Sequence, residues 1–394
     1  MVFDVVRPTL RSGMKTIYLD FAATTKCESE VVEAVRFYSA EHYANPASPH
    51  VMGKVAHHAI NTSRAKVAKL LRVDSADVVF TSGATESNNI VVLGAFEYGE
   101  AAPSNAIFSP IDHKSVTEAA RELSRRGVDV RYVKIEPSGR VNRKSLERAI
   151  DSNTKLLSLC HVNSEVGVSQ DLEMLSEIVT SSELIFHLDI VQSFGKVKFD
   201  LKGTRIGCAS FSAHKIGGPK GIGGLYLNDR ARKRLRPLFF GGGVDNLRSG
   251  TMPTPLIAGF GMACELRDKV DLQVEWAKVA RLRMCFLSVI KLHGVKFDLN
   301  APCEHTLPYI LNLYFHNVRS EVLISALEGG CIASGSACNS SNMQPSYVLK
   351  GLGLSDERAN CSIRISISPS IDEGEIKAAA EIIAVKVASL QLLV

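Results

Sequence analysis

The sequence predicts an α/β protein: a large domain with a mainly parallel seven-stranded sheet, joined to a smaller α+β domain. Between residues 78 and 227, short runs rich in β-branched residues alternate with amphipathic helical patterns. After the three glycines at residues 241–243, this alternation ends and a long helical pattern begins. The chain has 394 residues, which exceeds the length of one ordinary domain.

The strands of the large sheet follow from its short apolar runs. In chain order, they are predicted at residues 78–81, 106–109, 128–135, 156–161, 184–189, 206–211 and 222–227. Helical patterns between them cover residues 86–98, 116–126 and 172–181. Ligands of parallel sheets bind beyond the carboxyl ends of the strands, so polar residues that follow a strand are the first candidates for a site.

The second region has a different order of elements. One long helix is predicted over residues 255–292, followed by strands near 310–315 and 362–368 and helices near 320–328 and 372–390. We therefore expect a large domain at residues 16–259 and a small domain formed by residues 1–15 and 260–394.

Composition excludes several classes of protein. The hydrophobic content of 45% and charged content of 22% are typical of a soluble globular protein. The net charge of +5 is spread along the chain, and no apolar run reaches the ~18 residues of a membrane helix, so we expect neither direct nucleic-acid binding nor a membrane span.

Nine cysteines without a Cys-x-x-Cys pair favour reduced thiols in a cytoplasmic protein over disulfides or a metal site. The first fifteen residues are interpreted as a short extension, with a transit peptide as the weaker alternative.

The strongest functional signal lies at residues 210–224, where Ser212, His214 and Lys215 follow a buried strand and precede a run of glycines. A lysine in such a turn has two interpretations. It is either a solvated lysine paired with a nearby acid, or a desolvated amine that forms a Schiff base with a carbonyl cofactor.

Other predicted strand ends also carry polar residues. Residues 81–88 follow a strand and open a helix, where free backbone N–H groups and the hydroxyl of Thr85 suit a phosphate, although a simple helix cap is the alternative. Asp189 ends an apolar run, so its carboxylate needs a positive partner: a protonated ring nitrogen or a core arginine. His113 follows a strand and could stack on a flat ring, transfer protons or be purely structural.

A different signal lies at residues 333–341, where small and polar residues flank Cys338. We predict an exposed, mobile loop there. A thiol with the ordinary pKa of about 8.5 is a few per cent thiolate at pH 7, which is already a competent nucleophile.

Together, these motifs resemble those of the IscS/NifS-type cysteine desulfurases. The resemblance rests on residues 18–25, 45–48, 82–86, 187–193, 212–215, 248–251 and 334–338, and it covers roughly residues 17–390 in the family's order. It implies a fold type I, pyridoxal-phosphate-dependent enzyme of the class V aminotransferase group that works as a homodimer. The small domain would carry the loop of the catalytic cysteine.

The resemblance also implies roles for individual residues. The cofactor-binding positions would be Ala84, Thr85, His113, Ser164, Asp189, Gln192, Ser212, His214, Lys215 and, from the other subunit, Thr251. Lys215 would bond the cofactor, Asp189 would pair with its ring nitrogen and His113 would stack on its ring. Asn163 and Arg364 would bind the substrate, because a guanidinium suits a carboxylate. Cys338, Lys215 and His113 would be the catalytic residues.

The implied reaction converts L-cysteine to L-alanine through a persulfide on Cys338, from which the sulfur passes to an acceptor protein. That acceptor would be an iron–sulfur scaffold, a tRNA-thiolation protein or a DNA-phosphorothioation protein. Many relatives have asparagine where this chain has Ser164, so a catalytically weak sulfur-relay or scaffold subunit is an alternative. A selenocysteine lyase or another pyridoxal-phosphate lyase or transaminase is the alternative within catalysis.

Overall fold

The computed structural model describes residues 17–97, 103–179, 184–242, 247–327, 330–334 and 344–392. Its strands are β1 (Ile17–Tyr18), β2 (Val78–Thr81), β3 (Asn105–Phe108), β4 (Asp129–Tyr132), β5 (Thr154–Cys160), β6 (Ile185–Asp189), β7 (Cys208–Ser212), β8 (Gly223–Leu227), β9 (Phe297–Leu299), β10 (Ile310–Phe315), β11 (Gly330–Cys331), β12 (Ala333–Ser334) and β13 (Ser362–Ser366). Its helices are α1 (Ser29–Ala40), α2 (Val51–Leu71), α3 (Ala84–Gly94), α4 (Lys114–Arg125), α5 (Arg143–Ala149), α6 (Leu172–Ile178), α7 (Asp229–Arg234), α8 (Thr254–Asp268), α9 (Leu272–Leu292), α10 (Ser320–Ala326), α11 (Tyr347–Gly351), α12 (Asp356–Asn360) and α13 (Glu373–Gln391).

The large sheet has seven strands in the order β2-β8-β7-β6-β5-β3-β4. Only β8 runs antiparallel to its neighbours, so the prediction of a mainly parallel seven-stranded sheet is confirmed. All seven predicted strands belong to it. The carboxyl ends of β2, β3, β5, β6 and β7 therefore meet at one edge, which is where the candidate site lies.

Both faces of this sheet are covered, as its nearly continuous apolar strands require. Successive side chains of a strand point to opposite faces, and the structure shows this directly. Phe80 packs with α2 and α8 in one buried cluster, whereas its neighbour Val79 packs with α3 and α4 in another. Ile107 and Ala106 divide in the same way. The result is three layers, helix on sheet on helix.

A second hydrophobic core surrounds a four-stranded antiparallel sheet with the order β12-β13-β10-β9. Helices α9 and α13 supply much of this core. The start of the chain also joins it, through Leu19 and Ala22, and β1 pairs in parallel with β11. A smaller α+β unit is thus present, while its predicted bounds at residues 1–15 and 260–394 stay a prediction.

The prediction of one helix over residues 255–292 is wrong, because α8 ends at Asp268 and α9 begins at Leu272. Asp271 starts the second helix, since its side chain accepts hydrogen bonds from the N–H groups of Gln273 and Val274. Helix α8 packs against one face of the large sheet, in the buried cluster that also contains Phe80. A domain boundary at residues 259 and 260 stays a prediction, and the packing of α8 favours placing the boundary after Asp268. Within the described residues, no helix is long and apolar enough to cross a membrane.

Candidate active site

Lys215 lies just beyond the carboxyl end of β7, in the short 3₁₀ turn Ala213–Lys215. Its half-buried side chain donates hydrogen bonds from Nζ to the backbone oxygens of Ala22 and Ala23, at 2.5 and 2.7 Å. Burial is the main cause that lowers the pKa of Lys215 to about 7. A large share of this amine is therefore neutral, and able to act as a nucleophile, at physiological pH.

Asp189 ends β6, which is the neighbour of β7, and its side chain is buried. Its Oδ2 accepts a hydrogen bond from Asn88 Nδ2 at 2.8 Å, and its Oδ1 accepts one from the backbone N–H of Val191 at 3.0 Å. These two donors fix the orientation of the carboxylate. Asp189 can thus offer a fixed negative charge to a cationic group at the edge of the sheet.

His113 lies at the start of α4, where its Nδ1 accepts a hydrogen bond from the backbone N–H of Ser115 at 3.2 Å. Burial is the main cause that lowers its pKa, while the charge of Asp189 opposes this effect and that of Lys215 adds to it. The imidazole is therefore neutral at pH 7 and lies within electrostatic reach of both other groups.

Gln192 joins the same group through Ala22. Its Nε2 donates a hydrogen bond at 2.9 Å to the Ala22 oxygen that also accepts from Lys215. Its Oε1 is buried and has no hydrogen-bond partner among the described residues. An unpaired buried acceptor is costly, so this atom is ready for a donor from a bound molecule.

The start of α3 forms the second half of the site. The backbone N–H of Ala84 donates a hydrogen bond to Ser212 Oγ at 2.9 Å, which ties the helix to the end of β7. Gly83 precedes the helix with φ of 153°, and a Cβ atom there would meet only Ser212 Oγ, at 3.7 Å. Thr85 is exposed in the first turn. The N–H groups of this helix start and the hydroxyls of Thr85 and Ser212 are of the kind that can bind an anion, so a phosphate site here stays a prediction.

His214 connects this region to the start of the chain. Its Nδ1 and the hydroxyl oxygen of Thr24 lie 3.2 Å apart, and its backbone oxygen accepts hydrogen bonds from the N–H and the hydroxyl of Thr25. Burial lowers the pKa of His214 to about 4, so it is a neutral hydrogen-bonding group at pH 7.

Arg364 lies in β13 and forms a part-buried ion pair with Asp20, with 2.6 Å between Nη2 and Oδ1. Its Nη1 donates a hydrogen bond to the backbone oxygen of Ser164 at 3.0 Å. Its Nε is buried and has no partner among the described residues. The guanidinium thus keeps a free donor for a carboxylate, although Asp20 already occupies one of its sides.

Asn163 has its side-chain amide committed to the local turn. Its Nδ2 donates to the backbone oxygen of Ile111 at 2.8 Å, and its Oδ1 accepts from the N–H groups of Glu165 and Val166. These bonds hold the turn that presents the Ser164 oxygen to Arg364. Direct contact of Asn163 or Ser164 with a ligand stays a prediction.

Two predicted site residues are not brought into this group by the described structure. Thr251 is exposed, on the segment that follows the bridge between Phe239 and Arg248. Cys338 lies outside the described residues, and its role stays a prediction. In the described part of the chain, no group of His, Cys, Asp or Glu side chains is arranged to hold a metal ion.

These residues fit pyridoxal phosphate, the cofactor implied by the motifs. The start of α3 suits its phosphate and the Asp189 carboxylate suits its ring nitrogen. The Lys215 amine suits its aldehyde carbon, and the buried, unpaired Gln192 Oε1 offers an acceptor beside them.

Two residues of the site were missed by sequence reasoning. Asn88 lies four positions after Ala84 on α3 and so faces the same side as the helix start, where it holds Asp189. Asp20 lies within the motif at residues 18–25 and pairs with Arg364. A charged residue inside an otherwise apolar run was the available signal for Asp20.

Comparisons with known proteins agree with this geometry. The family Aminotransferase class-V matches residues 17–378. The cysteine desulfurase IscS of Buchnera aphidicola subsp. Baizongia pistaciae is 41% identical over 364 residues, which cover 91% of this chain and 90% of that protein. A solved NifS-like protein superposes with a TM-score of 0.87 at 33% identity, covering 96% of this chain and 100% of the other. The structure of SspA in complex with cysteine superposes with a TM-score of 0.80 at 35% identity, covering 90% and 99%. The chain therefore belongs to the class-V aminotransferase family.

Proposed function

We propose that this protein is a pyridoxal-phosphate-dependent cysteine desulfurase, which converts L-cysteine to L-alanine and carries the released sulfur on Cys338. The observation that carries the proposal is the position of Lys215 beyond the end of β7, at the sheet edge where Asp189, His113 and Gln192 also meet, and the lowered pKa of Lys215 supports it. The name of the curated relative and the cysteine complex of SspA support the same substrate.

The residues of this chain have distinct tasks in that reaction. The bound cofactor supplies an electron sink for the negative charge that develops at the substrate Cα. Arg364 orients the substrate carboxylate through its guanidinium, whose Nε has no partner among the described residues. Lys215, with a pKa of about 7, accepts and returns a proton at the substrate Cα near neutral pH. His113 is neutral and is the second group able to move a proton at this edge.

The sulfur step belongs to Cys338. Its thiolate attacks the substrate sulfur, so that an S–S bond forms while the C–S bond breaks. The electron pair of the C–S bond leaves with the three-carbon skeleton, which becomes L-alanine after proton uptake. The sulfur then stays on the enzyme as a persulfide, which an acceptor protein takes up. We infer that this acceptor serves iron–sulfur assembly, tRNA thiolation or DNA phosphorothioation.

The working unit in this proposal is a homodimer. Phe240 and Tyr43 are 85% and 70% exposed, and Phe239 and Val51 are also exposed. Large exposed apolar side chains of this kind mark interaction surfaces. In such a dimer, the exposed Thr251 would reach the phosphate site of the partner subunit. The seven cysteines with described side chains are all unbridged, which suits the reducing cytoplasm.

The experiment that tests this function uses the full chain loaded with pyridoxal phosphate. Given L-cysteine and a reductant, the protein should release L-alanine and sulfide in equal amounts. Lys215→Ala should abolish both products, whereas Lys220→Ala, which changes an exposed lysine nearby, should keep them. Formation of pyruvate in place of alanine, or turnover confined to L-selenocysteine, would refute the assignment.

A further inference from the structure

A cavity of about 580 Å³ opens beside Lys215. Its walls come from the segment at residues 25–29, from the large sheet and its helices, and from the second core at Tyr309 and residues 367–370. Six charged residues line it: Lys26, Glu28, Lys196, Lys215, Arg267 and Glu275. Four are basic and two are acidic, so basic groups outnumber acidic ones around the cavity.

Glu275 does not offset this excess fully, because its carboxylate is already engaged. Its Oε2 accepts from Arg267 Nη1 and its Oε1 from Arg267 Nη2, both at 2.8 Å. The hydroxyl of Tyr309 donates to Oε1 at 2.5 Å. Arg267 also donates two hydrogen bonds to the backbone oxygen of Gly195. Arg267 and Glu275 therefore compensate one another as a bidentate pair.

Lys196 is left without a carboxylate of its own. Its ammonium lies 5.3 Å from the centroid of the Tyr309 ring, which is a weak cation–π contact. Within the described part of the chain, its Nζ has no hydrogen bond and no ion pair. Burial lowers the pKa of Lys196 to about 8. The charge of Arg267 adds to this effect, whereas the charge of Glu275 opposes it. The side chain of Lys196 is half-buried and lines the cavity, so its ammonium faces that space without a carboxylate of its own.

We propose that Lys196 is a positioning residue for Lys215: its unpaired ammonium keeps positive charge in the shared cavity and so favours the neutral amine of Lys215. The inference rests on the proposed function, because that function assigns Lys215 as the amine that bonds the cofactor. A neutral amine can bond an aldehyde carbon and can accept a proton, and an ammonium can do neither.

The other described charged groups around Lys215 are paired, opposite in sign, neutral at pH 7 or screened by solvent. Lys196 is therefore the positive charge that the others do not compensate. Arg364 also acts on Lys215, but its charge is paired with Asp20 at 2.6 Å. Asp189 opposes the effect of these cations. The neighbouring histidines, His113 and His214, have lowered pKa values and are neutral at pH 7. Lys26 and Glu28 are both exposed, so solvent screens their charges.

Spectroscopic pH titration of the cofactor-loaded protein tests this inference. The visible absorbance of the bound cofactor reports protonation at its bond to Lys215, and Lys196→Met should raise the midpoint of that change by about one pH unit. Lys198→Met removes an exposed charge two positions away and should leave the midpoint unchanged. Lys196→Arg keeps the charge and should restore the wild-type value. A variant Lys196→Met that loads cofactor and titrates at the wild-type midpoint would overturn the inference.

A second measurement separates this inference from the proposed function. In the full chain stripped of cofactor, the rate at which Lys215 reacts with acetic anhydride at each pH gives the pKa of its amine, read by mass spectrometry of the peptide. The midpoint should be higher in Lys196→Met than in the wild type, and equal midpoints refute the role of Lys196. Failure of the wild type to bind pyridoxal phosphate would refute the proposed function alone. Lys196→Gln serves as a second neutral variant of similar reach.

Discussion

The side-chain amide of Asn88 donates a hydrogen bond to the Asp189 carboxylate at 2.8 Å, and the same Nδ2 donates to Ser115 Oγ, also at 2.8 Å. One residue of α3 therefore connects the acid at the end of β6 with the start of α4, where His113 lies. All three side chains of Asn88, Ser115 and Asp189 are buried. Within the described residues, Asn88 is the only residue whose side chain donates a hydrogen bond to Asp189. Its second hydrogen bond, to Ser115, holds the Asn88 amide in place.

Asn88→Ala should weaken both the fold and cofactor binding. It removes one donor from a buried carboxylate, which costs about 1–3 kcal/mol in the free energy of unfolding. Urea unfolding of the cofactor-free protein measures this loss, and a titration with pyridoxal phosphate measures the affinity. Asn61→Ala, which changes an exposed amide on α2, is the matched control. Equal unfolding free energies for the two variants would contradict the role assigned to Asn88.

Glu165 should make the protein less stable as the pH rises. Burial raises the pKa of its carboxyl group from 4.5 to about 8, although a hydrogen bond from Ser346 and the charge of Arg364 oppose this shift. Since the folded protein holds this proton more tightly than the unfolded chain, the stabilisation is complete below pH 4.5 and is lost as the pH rises through about 8. The slope from one such group approaches ~1.4 kcal/mol per pH unit between the two values.

Comparison with Glu165→Gln isolates that contribution, because glutamine has nearly the same shape and no titrating proton. Free energies of unfolding measured from pH 5 to pH 8 should fall less steeply in the variant than in the wild type. Glu304→Gln, which changes an exposed carboxylate near Cys303, should follow the wild-type curve. Parallel curves for the wild type and Glu165→Gln would show that Glu165 is ionised in the folded protein at neutral pH.

Arg364→Lys should impair the binding of L-cysteine more than the chemical step. A lysine keeps the charge beside Asp20 but loses the planar arrangement of donors that suits a carboxylate. We expect KM to rise by about 10- to 100-fold with a smaller change in kcat, measured by alanine release. Arg319→Lys at an exposed position should change neither constant. An unchanged KM in Arg364→Lys would remove Arg364 from the substrate site.

The seven strands of the large sheet could be predicted from the sequence because each is a short apolar run, separated from the next by a helix or a turn. The interruption between α8 and α9 was missed, because residues 269–271 carry neither proline nor glycine and the helical pattern continues on both sides. Only the Asp271 side chain marks the second start.

Site residues that follow strands could be predicted one by one, but their pairings could not. Asn88 and Asp189 are 101 positions apart, and Asp20 and Arg364 are 344 apart. No local pattern links such residues, since the sheet order and the packing of the second core bring them together. The same holds for Lys196, whose proximity to Lys215 follows from a cavity wall that is shared with Tyr309.

The most direct test of the central claim is the mass of the Cys338 peptide after one turnover. The cofactor-loaded protein is mixed with L-cysteine without reductant, its thiols are capped, and the peptides that contain Cys338 and Cys303 are weighed after digestion. We predict one additional sulfur atom on the Cys338 peptide, none on the Cys303 peptide, and one L-alanine released for each sulfur bound. Release of L-alanine with an unmodified Cys338 peptide, or at the wild-type rate from Cys338→Ala, would contradict the account.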